Sequence, residues 1–172
     1  MSYFDQAIRE NPEFGAAYHD RGVAYQKMGE MEKAIRDFDE AIRISDQNVS
    51  AYYNRGVCYT ITRVYKRAIA DFQKVIELAP EDPRAYNNLA WIYAVSNVKK
   101  FRNPELAVEN ARKAVELTKG GYAAYVDTLA ESYYAAGDIE NAQVWAEKAI
   151  SLEPQNKTYK DHLERFRKPP EQ

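Results

Sequence analysis

The feature that most restricts this chain is a recurrence of residue types every 34 positions. Tyr52, Gly56, Tyr59, Ala68 and Phe72 have counterparts 34 residues earlier at Tyr18, Gly22, Tyr25, Ala34 and Phe38. Tyr86 and Tyr93 follow Tyr52 and Tyr59 at that interval, and Phe4 and Ala7 precede Phe38 and Ala41 by it. A fixed period of this length means that one supersecondary unit is copied along the chain, and that no copy buries its apolar face alone. Inside a copy the apolar positions follow helical spacing, as at Ala34, Ile35, Phe38, Ala41 and Ile42, so each unit reads as two amphipathic helices. Small residues (Gly22, Gly56, Ala90 and Ala130, then Ala34, Ala68, Ala107 and Ala142) stand where two helix axes approach closely, and tyrosines fill the space toward the next unit.

A large aromatic, a Leu-Gly-like step, then Tyr, Ala, Phe, Ala and Pro in register resembles the tetratricopeptide (TPR) repeat over nearly the whole chain. The two Tyr-x-x-Arg-Gly-Val-x-Tyr runs carry Arg21 and Arg55 where the family usually has Leu, a substitution read as tolerated. The resemblance implies an all-α fold: a right-handed superhelix (α-solenoid) of antiparallel helix pairs whose concave face binds peptides or protein partners.

Punctuation along the chain sets the expected divisions: a half repeat at 1–12, repeats at 15–48, 49–82, 83–121 and 122–155, and a capping helix at 156–168. Asn11-Pro12, Ala79-Pro80 and Glu153-Pro154 each stop a helix, and Gly29 suits a left-handed C-terminal position. The corresponding turn at Arg63-Val64 has no glycine. Asp82 reads as an N-cap with Pro83 at the first helical position. Ala68 and Ala107 lie 39 apart, five more than the period, and the surplus falls in an insertion at 96–103 before Asn103-Pro104 restarts a helix. The capping helix is rich in charge, with Tyr159, Leu163 and Phe166 expected to face repeat four, and 168–172 reads as a frayed tail.

Composition removes several classes of function. A formal charge of −2 offers no basic footprint for nucleic acid, and no apolar run is long enough for membrane insertion. No signal peptide is visible at Met1-Ser2-Tyr3-Phe4, which points to a cytoplasmic protein, although a chain that opens in mid-repeat suggests a longer natural N-terminus. The single cysteine, Cys58, forms no internal disulfide and reads as a buried, inert thiol. No phosphate loop, Cys/His ligand spacing or nucleophile elbow is present, so no catalytic residue, metal or cofactor is expected and the chain reads as a non-enzyme. His19 and His162 read as ordinary solvated or half-packed residues. Asp127 and Glu131, four apart on one helix, read as a charged binding surface rather than an acid and base.

The resemblance places the candidate binding residues on the first helix of each repeat. They are His19 and Val23; Tyr53, Asn54 and Val57; Arg84, Asn87, Asn88 and Trp91; and Asp127, Glu131 and Tyr134. Large rigid aromatics give contact area at modest entropic cost, amides pair with a peptide backbone, and Arg84 can grip a carboxylate. The family's two-carboxylate clamp for chaperone tails falls at His19, Val23, Asn54, Arg84 and Asn88, where Asn54 alone matches, so a chaperone-tail adaptor is not expected. In the insertion, Lys99, Lys100 and Arg102 flank Phe101, which would fold back to narrow the groove. The expected function is a scaffold that holds a protein or peptide segment. The alternative is a self-associating module with an empty groove, joined through the N-terminal half repeat, where Phe4 and Ile8 lack a partner helix.

Overall fold

A computed structural model of the chain describes residues 2–96 and 98–168. The frayed-tail reading of 169–172 and Asn97 of the insertion lie outside the described residues. Those described form α-helices joined by short turns, with no strand among them, in two compact units, Met1–Pro80 and Glu81–Gln172.

The first unit holds α1 (Ser2–Glu10), α2 (Gly15–Lys27), α3 (Met31–Ile44), α4 (Val49–Ile61) and α5 (Tyr65–Leu78). Helix α2 packs on α3 and α4 on α5. The close approach comes from glycine against phenylalanine. A Cβ added at Gly22 would lie 2.7 Å from the Phe38 ring, and one at Gly56 would lie 2.8 Å from the Phe72 ring. Both rings are fully buried. Gly29, with φ +79°, reverses the chain after α2. Arg63, 34 residues on, holds φ 61° at the equivalent turn, a conformation that costs a non-glycine residue energy. The bond pattern is the same at both: Glu30 N–H donates to the Tyr25 carbonyl and Val64 N–H to that of Tyr59.

Arg21 and Arg55 are more than tolerated replacements for leucine. Arg21 donates from Nε and Nη2 to Asp37 at 2.8 and 2.7 Å, and from Nη1 to Asp5 at 2.8 Å. Arg55 does the same to Asp71 at 2.9 and 2.6 Å and to Asp39 at 2.6 Å. Each guanidinium on a first helix thus ties the second helix of its own repeat to the one before it. Asp37 and Asp71 are buried, so the bonds satisfy groups that would otherwise be stranded.

The second unit holds α6 (Pro83–Val95), α7 (Pro104–Leu117), α8 (Ala123–Ala135), α9 (Ile139–Leu152) and α10 (Lys157–Arg165). Side chains cap four of the five starts: Asp82 accepts from Arg84 N–H, Asn103 from Leu106, Asp138 from Asn141 and Asn156 from Thr158. The insertion is tied down rather than loose. Lys99–Phe101 forms a 3₁₀ turn, Arg102 Nε donates to the Ser96 carbonyl at 2.7 Å, and Asn103 N–H donates to the Tyr93 carbonyl at 3.0 Å. The core is built from alanines of α6, α7, α8 and α9 around Val126, Leu129 and Tyr133, and it takes in Tyr159 and Phe166 from the C-terminal segment.

Candidate partner-binding surface

In the first unit the candidate residues lie on α2 and α4. Asn54 Nδ2 and His19 Nε2 are 3.1 Å apart, and His19 Nδ1 is 3.0 Å from Asp20 Oδ1. An amide nitrogen only donates, so Nε2 accepts, and a neutral His19 carries its proton on Nδ1 toward Asp20. The two candidates therefore form one polar bridge between successive first helices. Tyr53 packs its ring 6.0 Å from Phe72, and Val23 and Val57 are half-buried on the same two helices. Ile61, at the end of α4, is 54% exposed.

In the second unit Trp91 of α6 is 41% exposed. Asn87, one turn earlier, has its Oδ1 buried with no hydrogen-bond partner among the described residues. Arg84, expected to grip a ligand carboxylate, meets its own N-cap instead: Nε and Nη2 donate to Asp82 at 2.9 and 2.6 Å. Burial works to raise the Asp82 carboxyl, but the hydrogen bonds from Arg84 outweigh it and hold the group below its ordinary value. Asn88 Nδ2 donates to the Arg84 carbonyl at 2.8 Å.

The remaining candidates, Asp127, Glu131 and Tyr134 of α8, are covered by α10. His162 Nδ1 lies 3.0 Å from both Asp127 carboxylate oxygens and 3.3 Å from Glu131 Oε1. Arg165 Nη2 donates to Glu131. Arg165 also lies over the Tyr134 ring, and Phe166 packs against that ring at 4.7 Å. Asp127 and Glu131 are each only 8% exposed. The hydrogen bond to Asp127 raises His162 above its ordinary pKa, against the opposing pull of burial. Arg165, joined by His162 when that imidazole is protonated, thus offsets the charge of two buried carboxylates, the condition under which such groups are stable away from water. Sequence reasoning missed the part played by His162 and Arg165. The signal was present: Asp127 and His162 are 35 apart, as are His19 and Asn54, so both pairs bridge successive first-helix positions.

Among the described residues, no group of three or more His, Cys, Asp or Glu is placed to hold a metal ion. No described helix is long and apolar enough to cross a membrane.

Residues 15–48 and 49–82 match one model of the tetratricopeptide repeat, and residues 71–109 and 124–156 match two further models of it. The chain belongs to the tetratricopeptide repeat family. TPR arrays are in general non-enzymatic scaffolds for protein–protein interaction, and the fold of this one suits protein partners. No curated protein sequence matches the chain. Among solved structures it is similar to YrrB, a TPR protein with an unusual peptide-binding site, at 21% identity over 95% of this chain and 81% of that one, with a TM-score of 0.76. It is also similar to MamA 41-end from Desulfovibrio magneticus RS-1 at 23% identity over 91% and 85%, with a TM-score of 0.79. PilW, a widely conserved type IV pilus biogenesis factor, matches at 15% identity over 89% and 68%, with a TM-score of 0.79. At these identities the likeness establishes the TPR fold alone.

Proposed function

We propose that this TPR chain binds a peptide or protein segment along the first-helix faces of its repeats, without catalysing a reaction. The observation that carries the reading is Trp91, a large rigid indole left 41% exposed on α6. Exposed tryptophan is the residue type most enriched among the hot spots of protein interfaces. Tyr53 and the His19–Asn54 bridge offer a comparable aromatic and polar surface on α2 and α4 of the first unit. The peptide-binding site named for YrrB adds support by family likeness. Arg84 held on Asp82 fits a ligand other than an acidic chaperone tail.

Selection of a displayed peptide library on the purified chain, followed by fluorescence anisotropy with the selected peptides, tests the proposal. Trp91→Ala or Tyr53→Ala should weaken at least one selected peptide by about 30-fold, the effect of losing about 2 kcal/mol at a hot spot. Unchanged affinity in both variants would remove these faces as the site. Light scattering on the same samples separates the alternative, a self-associating module: variants that alter oligomer size and leave peptide affinity intact would favour it.

A further inference from the structure

Three of the exposed large apolar side chains of the first unit gather at one end of it. Met28 is 60% exposed, Ile61 54% and Val64 41%. Met28 caps the C-terminus of α2, Ile61 ends α4, and Val64 immediately precedes α5. Helices α2 and α4 are successive first helices, joined by the His19–Asn54 bridge, so they end side by side. Axes of packed helices lie about 10 Å apart, which puts Met28 and Ile61 within reach of one ligand. Single exposed apolar residues are ordinary, but a contiguous patch edged by polar groups marks an interaction surface.

The charge around the patch is one-sided. Residues 61–67 carry Arg63, Lys66 and Arg67 and no acid, in a chain whose formal charge is −2. Among the described residues, Lys27, Arg63 and Lys66 make no ion pair, whereas Lys33 is taken by Glu30. Lys27 and Arg63 stand at helix C-termini, where the dipole favours a cation. Lys66 and Arg67 have no such reason to be where they are. They lie in the first turn of α5, where the dipole disfavours positive charge. The other second helices, α3, α7 and α9, place Glu32, Glu105 and Glu140 in that turn, and α5 has no acid there. Exposed positive charge at the turn is therefore uncompensated in the free chain, and an incoming carboxylate relieves it.

We propose that the turn edge formed by Met28, Ile61, Arg63, Val64 and Lys66 is a docking surface for an acidic, amphipathic segment of a partner protein. Aliphatic or aromatic side chains of that segment cover Met28, Ile61 and Val64, and its carboxylates meet Arg63 and Lys66. The charge pattern favours a polypeptide over a flat anionic surface. Glu32 occupies in α3 the place that Lys66 holds in α5, so an extended negative surface would meet repulsion beside attraction. A segment with a few placed carboxylates avoids Glu32 and keeps the attraction. The surface uses neither Trp91 nor Tyr53, so it goes beyond the first-helix reading and does not depend on it.

A displayed peptide library selected on the full chain supplies the probes, and fluorescence anisotropy measures each one. Peptides that combine Asp or Glu with Leu, Ile or Phe should be enriched. Arg63→Glu combined with Lys66→Glu should weaken that set at least about tenfold, and Met28→Ser combined with Ile61→Ser by a similar factor. Raising NaCl from about 50 to about 300 mM should weaken it as well, because exposed charge pairs are screened. Circular dichroism checks that both variants keep their helicity. If either does not, Lys66→Gln decides, with a weakening of about threefold expected from the loss of one surface charge. Equal affinity for wild type and the charge-reversed chain would overturn the proposal. Two other results would also overturn it by naming a different occupant. One is binding to phosphatidylserine–phosphatidylcholine vesicles with no acidic peptide selected. The other is a dimer in light scattering that charge reversal dissociates. Charge reversal should leave Trp91-dependent peptides unaffected, so failure here leaves the first-helix reading standing, and loss of Trp91-dependent capture leaves the turn edge standing.

Discussion

The Arg55 guanidinium meets the Asp71 carboxylate through two parallel hydrogen bonds, 2.9 Å from Nε and 2.6 Å from Nη2, across the α4–α5 interface. Burial pushes the Asp71 carboxyl upward in spite of Arg55, so the pair offsets a desolvation cost rather than adding much net stability. Arg55→Leu, which restores the usual family residue, leaves Asp71 buried without its bidentate partner and should destabilise the chain by about 3 kcal/mol. Arg55→Leu combined with Asp71→Leu should return to within about 1 kcal/mol of wild type. Urea unfolding of these three proteins and of Asp71→Leu alone completes the cycle. A double variant as unstable as Arg55→Leu alone would show that the arginine acts through packing on Tyr52 and Tyr59, over whose rings it lies, and not through the carboxylate.

Gly56 makes a different demand on the same interface. Alanine gains about 1 kcal/mol over glycine in a helix interior, yet its methyl would stand 2.8 Å from Phe72 Cε1. Phe72 is fully buried and in ring contact with Tyr53, so it has little room to move. Overpacking of this kind costs about 1–3 kcal/mol. Gly56→Ala should therefore be net destabilising, by about 1 kcal/mol, and Phe72→Leu in the Gly56→Ala background should cost less than in the wild type. Thermal unfolding of the four proteins tests this. A stabilised Gly56→Ala would mean that the two helices separate freely.

The helices and their order were readable because the 34-residue period acts on core positions. Burial at Phe38 and Phe72 demands the same residue type wherever the same packing recurs. The charged ties were equally periodic, with Asp5 and Asp39, Arg21 and Arg55, and Asp37 and Asp71 each 34 apart. They were passed over because an aspartate on a helix is ordinarily solvated, and only the three-dimensional stack shows that these partners, 16 residues away, converge on one guanidinium. The candidate binding face was less legible. Helical spacing puts Asp127 and Glu131 on one side of α8, but spacing within α8 carries no information on which later helix lies across them. Arg84 shows the same limit: its approach to Asp82 depends on side-chain reach around an N-cap.

Cys58 sits at 0% exposure on α4, and burial pushes its thiol up to about 11. The thiolate is the reactive form, so at pH 8 both charge state and access oppose modification. Reaction with an aromatic disulfide reagent should proceed at the rate at which the α4–α5 hairpin opens. It should therefore accelerate steeply with urea well before the unfolding midpoint, and stay independent of reagent concentration at high reagent. A rate first-order in reagent in native buffer, at the speed of a free thiol, would place Cys58 at the surface.

His162 makes the docking of α10 depend on pH. The groups facing it are Asp127 and Glu131 from α8 and Arg165 from its own helix, while α9 meets the segment through uncharged Gln143. The hydrogen bond to Asp127 holds the imidazole above its ordinary 6.5 in the docked state. A group whose folded pKa is raised contributes its full stabilisation below the unfolded value and loses it as the pH climbs through the folded one. Docking should therefore be strongest below about pH 6.5, weaken above it, and level off once His162 is neutral in both states. Hydrogen-exchange protection of α10 amides, corrected for intrinsic rates and followed from pH 5.5 to pH 9, should fall along that curve. His162→Gln should flatten it while leaving protection in α4 unchanged. Parallel curves for wild type and His162→Gln would show that the imidazole does not govern the docking of α10, and would leave the Arg165–Glu131 pair and the burial of Phe166 to hold the helix at every pH.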